Sequence, residues 1–220
     1  MPEDEASGPR GQPLKSPSVA DDYPEQLAAA QRLIDRNDLP AALNAYLELV
    51  ERYPERPAAS QSLRNLLADL STNEAALDSE SFARMKPDLV RAAEQGFVPA
   101  MLMVARSSQE TDRATALKWY QAAASKGSVE AMKRAGDLLY SNHRRPDDDL
   151  KALNYFTQAA NTGDPEAEYL VGECYYYANW LEQGIGVPKD AKAASEWYSR
   201  SARAGYPPAI EWCKRNGIAP

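Results

Sequence analysis

The side chains that could carry covalent chemistry are few and far apart in this sequence. A serine or cysteine nucleophile needs a base, and His143 is the only histidine of the 220 residues. It stands in a polar run, residues 141–145, that predicts a solvated loop. No Ser-x-x-Lys motif occurs, so a lysine-activated serine has no candidate either. The sequence offers no supported catalytic arrangement, and we predict that the protein is not an enzyme.

Three other patterns could hold an ion or a phosphate, and each has a simpler explanation. The run Asp147-Asp148-Asp149 could attract a cation, but such runs more often open a helix, where their charge suits the helix dipole. Gly184 and Gly186 have the spacing of a phosphate loop, but no strand precedes them. Cys174 and Cys213 have no histidine nearby with metal-ligand spacing. We therefore expect no metal and no cofactor.

The elements that would position any site follow from a recurring pattern in the last 125 residues. Four blocks of small residues end in glycine, and an alanine follows each glycine four residues later. The glycine–alanine pairs are Gly96 and Ala100, Gly127 and Ala131, Gly163 and Ala167, and Gly205 and Ala209. Glycines spaced by 31, 36 and 42 residues are typical of a helical solenoid, whose hairpins stack to bury their apolar faces.

Two more features recur at fixed distances inside this pattern. An aspartate precedes an aromatic pair by seven residues three times. The aspartates are Asp112, Asp148 and Asp190, and the pairs that follow them are Trp119-Tyr120, Tyr155-Phe156 and Trp197-Tyr198. Aspartate favours a helix N-terminus, and glycine ends a helix in a left-handed turn. Each unit is therefore predicted to be helix A, a loop, an aspartate-capped helix B and a glycine turn. We expect both members of each pair to be core, with about 3 to 5 kcal/mol lost on truncating Trp119 or Trp197 to alanine.

Residues 167–205 resemble the Sel1-like repeats. The resemblance rests on Val171-Gly172 and Tyr175 in the first helix, on the loop from Gly184 to Asp190 and on Trp197-Tyr198 in the second helix. The two preceding units match less completely, and residues 24–54 are similar to one tetratricopeptide repeat. The resemblance implies an all-α fold, a right-handed α/α solenoid of stacked antiparallel helix pairs, with a protein or peptide bound in its concave groove. A few Sel1-like proteins have been discussed as β-lactam hydrolases, an activity for which this chain has no motif.

Composition suggests three regions. Residues 1–22 are rich in proline and acids and are expected to be a disordered tail or linker, residues 23–95 to be tetratricopeptide-like hairpins, and residues 96–220 to be Sel1-like repeats with a C-terminal capping helix. A net charge of −7 with scattered basic residues disfavours nucleic acid as a partner.

Location is predicted from what the sequence lacks. No apolar run could span a membrane and no signal peptide is recognisable, so we expect a cytoplasmic monomer. Its two cysteines are then expected to be reduced and buried, although a disulfide between adjacent repeats stays open.

Helix geometry predicts the interaction surface. With Val171 at the centre of the buried side, 100° per residue defines an opposite stripe on the same helix, which the resemblance places in the groove. The predicted partner-binding residues are Lys133, Asp137, Tyr140, Tyr169, Glu173, Tyr176 and Trp180. An alternative stays open: a six-residue insertion before Asp190 could fold back and bury Tyr176, Tyr177 and Trp180 against its own loop or the fourth repeat.

Taken together, these patterns favour a non-enzymatic scaffold or adaptor. One alternative is a regulatory or docking module of a larger signalling protein, such as a bacterial kinase. The other is a hydrolase with an unrecognised site.

Overall fold

The computed structural model describes residues 21–73, 77–140, 146–177 and 187–219 of the chain. Within these ranges the chain forms eleven helices and no strand. The helices are α1 (Tyr23–Asp35), α2 (Leu39–Arg52), α3 (Pro57–Thr72), α4 (Ser79–Glu94), α5 (Val98–Ser108), α6 (Arg113–Ser125), α7 (Val129–Tyr140), α8 (Pro146–Ala160), α9 (Pro165–Tyr176), α10 (Ala191–Arg203) and α11 (Pro207–Arg215). Residues 1–20, which make up most of the predicted tail, lie outside the described residues.

Each helix from α4 onward packs against the next one in the chain. The pairs α5/α6, α7/α8 and α9/α10 are helix A and helix B of three successive units, and α11 is helix A of a fourth. Upstream, α2 contacts both α3 and α4, and α3 contacts α5, which joins the first hairpins to the repeats. The buried apolar side chains form one core from α1 to α9 and a second cluster between α10 and α11. This arrangement confirms the predicted all-α solenoid of stacked helix pairs.

The repeat glycines form the predicted turns. Gly96, Gly127, Gly163 and Gly205 have φ angles of +95°, +88°, +88° and +89°, a region that other residues enter only with strain. Each glycine N–H donates to a carbonyl of the preceding helix, which satisfies groups that the helix end leaves unpaired.

Aspartate caps two of the three B helices as predicted. Asp112 and Asp190 both accept backbone N–H groups from the turn that follows them. The cap predicted at Asp148 is wrong, because α8 begins two residues earlier at Pro146, whose fixed φ suits the first helical position. Asp148 lies inside the first turn and pairs with Lys151 at 3.4 Å.

Only the second member of each aromatic pair is fully buried. Tyr120, Phe156 and Tyr198 are at most 1% exposed. Trp119, Tyr155 and Trp197 are only partly buried, so our expectation that both members are core is wrong for these three. Consecutive helical residues point about 100° apart, so when one ring faces helix A its neighbour lies at the edge of the contact.

Two glycines inside A helices make room for the buried rings. A Cβ atom at Gly136 would lie 2.4 Å from Cε1 of Phe156, and one at Gly172 would lie 2.8 Å from the ring of Tyr198. The ring of helix B therefore rests directly on the backbone of helix A in the α7/α8 and α9/α10 pairs. Close approach, not a turn, requires glycine at these two positions.

The N-terminal hairpins are also joined by polar contacts. The hydroxyl of Tyr23 accepts the backbone N–H of Ala59 at 3.0 Å, which links α1 to α3. The guanidinium of Arg91 donates to both carboxylate oxygens of Glu51 at 2.9 Å, which links α4 to α2. None of the helices in the described ranges combines the length and the apolar character needed to cross a bilayer.

Candidate interaction surface

Six of the seven predicted partner-binding residues lie on helices α7 and α9. Lys133, Asp137 and Tyr140 follow one another along α7, and Tyr169, Glu173 and Tyr176 occupy the equivalent positions of α9. All six are partly exposed, and we call them the A-helix strip. Trp180 lies outside the described residues.

Lys133 joins α7 to the N-terminus of α9. Its Nζ atom donates to Asp164 at 3.0 Å and to Glu166 at 2.6 Å, and only 18% of its side chain is exposed. Burial alone would lower the pKa of Lys133, but the hydrogen bonds to Glu166 and Asp164 outweigh it and raise that pKa. The positive charge of Lys133 is therefore neutralised by two carboxylates of the protein itself.

Asp137 and Tyr140 complete the α7 half of the strip. Burial raises the pKa of Asp137, whose carboxylate lies 3.8 Å from the guanidinium of Arg134. The hydroxyl of Tyr140 donates to the backbone carbonyl of Glu173 at 3.5 Å, a second link between α7 and α9.

Tyr169 and Tyr176 reach the fourth unit. The ring of Tyr169 lies 5.4 Å from that of Tyr206, and the ring of Tyr176 lies 5.9 Å from that of Trp212. Both rings also contact Tyr198 of α10, at 5.2 and 6.3 Å. The two tyrosines therefore pack against the fourth repeat and expose only part of their surface, while the loop of the alternative interpretation, 178–186, lies outside the described residues.

Glu173 is the acidic residue at the middle of the α9 half. Its Oε1 accepts the hydroxyl of Tyr198 at 2.5 Å. Within the described ranges no lysine or arginine forms an ion pair with its carboxylate.

Two contacts near the strip escaped the sequence interpretation. Tyr206 and Trp212 supply the α11 side of the aromatic cluster, and only the alanine register of the fourth block could have indicated them. Glu168, which is almost fully buried, pairs with Arg200 at 2.6 Å. The sequence does not indicate this role for Glu168, because a carboxylate beside a core position is normally exposed.

The tyrosines around Glu173 have perturbed acidities. Burial, with the nearby Glu173 carboxylate, raises the pKa of Tyr169 to about 12. Burial also raises the pKa of Tyr140 and of Tyr198 well above the usual range, and the hydrogen bond to Glu173 adds to the effect at Tyr198.

These shifts predict a loss of stability in alkali. The unfolded chain loses its phenolic protons near pH 10, whereas the folded chain holds them to higher pH, so unfolding is favoured increasingly above about pH 10. We expect the contribution of these tyrosines to the free energy of unfolding in urea to be constant below that pH and to fall as the pH approaches the raised pKa of Tyr169, about 12. Tyrosinate absorbance at about 295 nm should show a late-titrating group that Tyr169→Phe diminishes; titration of every tyrosine near pH 10 would contradict the assignment.

The remaining chemical candidates form no site in the described structure. Cys174 and Cys213 are free, buried thiols, and burial raises the pKa of the Cys174 thiol. In the ranges described, no cluster of three or more histidine, cysteine or acidic side chains could hold a metal ion. His143 and the glycines at 184 and 186 lie outside those ranges.

Comparison with known proteins agrees with the helix pairs. The Sel1 repeat family model matches residues 100–128, 129–164 and 165–206, and each match covers one A/B helix pair, the first starting two residues inside α5. The DAP3-binding cell death enhancer 1 of Rattus norvegicus is 32% identical over 105 residues, which are 48% of this chain and 19% of that protein. The chitin synthase regulator SKT5 of Saccharomyces cerevisiae is 30% identical over 121 residues, which are 51% of this chain and 16% of that protein.

The chain therefore spans less than a quarter of the length of these curated relatives. A solved structure of a protective antigen from uropathogenic Escherichia coli, described as having an SLR fold, superposes with a TM-score of 0.56 over 85% of this chain and 39% of that one, at 21% identity. That likeness supports the fold alone. Residues 100–206 of this chain therefore carry three Sel1 repeats.

Proposed function

We propose that the protein is a non-enzymatic scaffold or adaptor that binds a peptide or protein partner along the A-helix strip. Sel1 repeat proteins are generally protein-interaction scaffolds. The rat relative is named for binding DAP3, and the yeast relative is named as a regulator of chitin synthase. Both names describe action through other proteins, which supports the same mode of action here.

The observation that carries the proposal is the aromatic surface that continues from the strip. Tyr177 follows Tyr176 directly, packs edge-on against it at 4.8 Å and remains 56% exposed. Among the described residues, Tyr177 and Leu150 are the two large hydrophobic side chains that are exposed to solvent. Tyrosine is enriched at the energetic centres of protein interfaces, because it buries a large apolar area at small entropic cost.

A regulatory module within a larger protein is the second candidate. The matched relatives are several times longer than the matching segment, and two are named as regulatory factors of chitin synthase. We also propose a cytoplasmic location, which two buried, unbridged cysteines support.

Site-specific photocrosslinking tests the exposed surface that continues from the strip at Tyr177. A benzophenone side chain at position 177 would replace one exposed tyrosine without disturbing the core. We expect it to capture a protein from lysate, and the same protein, once purified, to crosslink again to the purified chain.

The matched control places the same benzophenone at position 150. Leu150 is also exposed, at 40%, but it lies on α8, a B helix. Equal capture of one protein at both positions, or capture at 150 alone, would show that the A-helix strip is not the binding surface.

A further inference from the structure

The surroundings of Glu173 combine a negative charge with aromatic rings. Tyr198 donates to its carboxylate at 2.5 Å, and Tyr140 donates to its carbonyl at 3.5 Å. The carboxylate charge also acts on Tyr169 and Tyr206, whose pKa values it helps to raise. Glu173 is thus a partly exposed acid among tyrosines, and within the described ranges it forms no ion pair.

The acids near this carboxylate outnumber the available cations. Lys133 is held by Asp164 and Glu166, and half of the Glu166 side chain still faces solvent. Asp137, one repeat earlier in the same register, pairs with Arg134 at 3.8 Å and keeps 45% of its side chain exposed, so in the described structure Asp137, Asp164, Glu166 and Glu173 face only Lys133 and Arg134. The surface therefore carries an excess of negative charge, in agreement with the net charge of −7 for the whole chain.

We propose that the strip recognises a basic side chain, lysine or arginine, of a peptide partner, with Glu173 as its counter-ion. The inference rests on the proposed function, since it assigns the chemistry of the partner at the same surface.

Two physical effects select a cation at this place. A partly buried carboxylate loses hydration that an ammonium or guanidinium group restores by charge-assisted hydrogen bonds. The faces of tyrosine rings also attract cations and pack against the methylene groups of lysine and arginine. The negative field of the protein further speeds encounters with basic partners.

A peptide selection tests the proposal. Phage displaying random peptides of about 12 residues, a length that spans about 40 Å when extended, are panned on the full chain. Bound phage are eluted, and the peptides are synthesised. We expect a shared lysine or arginine position, and we expect norleucine at that position to weaken binding about tenfold, as loss of a partly desolvated ion pair does.

Substitutions in the protein supply the second measurement. Glu173→Gln keeps an acceptor for Tyr198 but removes the charge, so it should weaken the same peptides about tenfold while circular dichroism stays unchanged. Glu211→Gln is the control: Glu211 lies on α11, is exposed and pairs with Arg215 at 3.5 Å, so its loss should leave affinity unchanged.

The outcomes separate the two proposals. Peptides that crosslink at position 177 but show no basic preference, or that bind Glu173→Gln as tightly as the native chain, would overturn the assignment of a cation and leave the scaffold proposal standing. Selected peptides that never crosslink at position 177 would overturn both. If Glu211→Gln weakened peptide binding as much as Glu173→Gln, only the overall charge of the protein would matter. That result would also contradict Glu173 as the specific counter-ion.

Discussion

Replacing Tyr198 by alanine is expected to lower the free energy of unfolding by about 3 to 5 kcal/mol, as loss of a fully buried aromatic side chain does. The ring rests on Gly172 and lies 4.1 Å from the ring of Trp212. Its hydroxyl is the donor to Glu173. Truncation therefore opens a cavity between α9, α10 and α11 and removes a hydrogen bond at the same time.

Urea denaturation followed by circular dichroism measures this effect, and Trp197→Ala is the matched control. Trp197 is larger and adjacent in sequence, but it is only partly buried, with the Arg200 guanidinium 5.0 Å from its ring. We expect its loss to cost about 1 to 2 kcal/mol, nearer the average for a single substitution. A greater loss at Trp197 than at Tyr198 would reverse our assignment of the buried ring.

Gly136→Ala is expected to destabilise the protein by about 1 to 3 kcal/mol, although alanine is the better helix former by about 1 kcal/mol. The added methyl group would lie 2.4 Å from the ring of Phe156, so α7 and α8 must separate or the ring must leave its rotamer. Such overlap inside a close-packed core cannot be relieved without a loss of stability.

Whether Gly136→Ala destabilises or stabilises the protein should depend on the size of the side chain at position 156. In a Phe156→Leu background the side chain that faces position 136 is smaller. Gly136→Ala is then expected to be neutral or stabilising, because only the higher helix propensity of alanine remains. Urea denaturation of the four chains gives the coupling energy. The same loss in both backgrounds would mean that the glycine serves another purpose than close approach.

Local signals explain why much of the fold could be predicted. Glycine at a left-handed turn and aspartate before an amphipathic run act within a few residues, so their spacing gives the helix pairs directly. The failure at Asp148 is equally local, because a proline two residues earlier begins the helix. The burial of Tyr198 rather than Trp197 depends instead on how α10 is rotated against α9, which an aromatic pair alone does not specify.

The surface was predictable only in part for a similar reason. The register placed Tyr169, Glu173 and Tyr176 on one face, and they do share one face of α9. That this face also contacts Tyr206 and Trp212 depends on the position of α11, which follows from the tertiary stacking of the fourth unit. The strip remains a prediction as a binding site.

The contacts between successive A helices also bear on the mechanics of the repeat array. Lys133 meets Asp164 at the same register positions at which Tyr169 meets Tyr206 one repeat later. Added salt screens the ionic contact, whereas salts excluded from apolar surface strengthen the aromatic one. Rising ionic strength is therefore expected to weaken the α7/α9 contact while it leaves or strengthens the α9/α11 contact, so two neighbouring junctions of the array respond oppositely to the same medium.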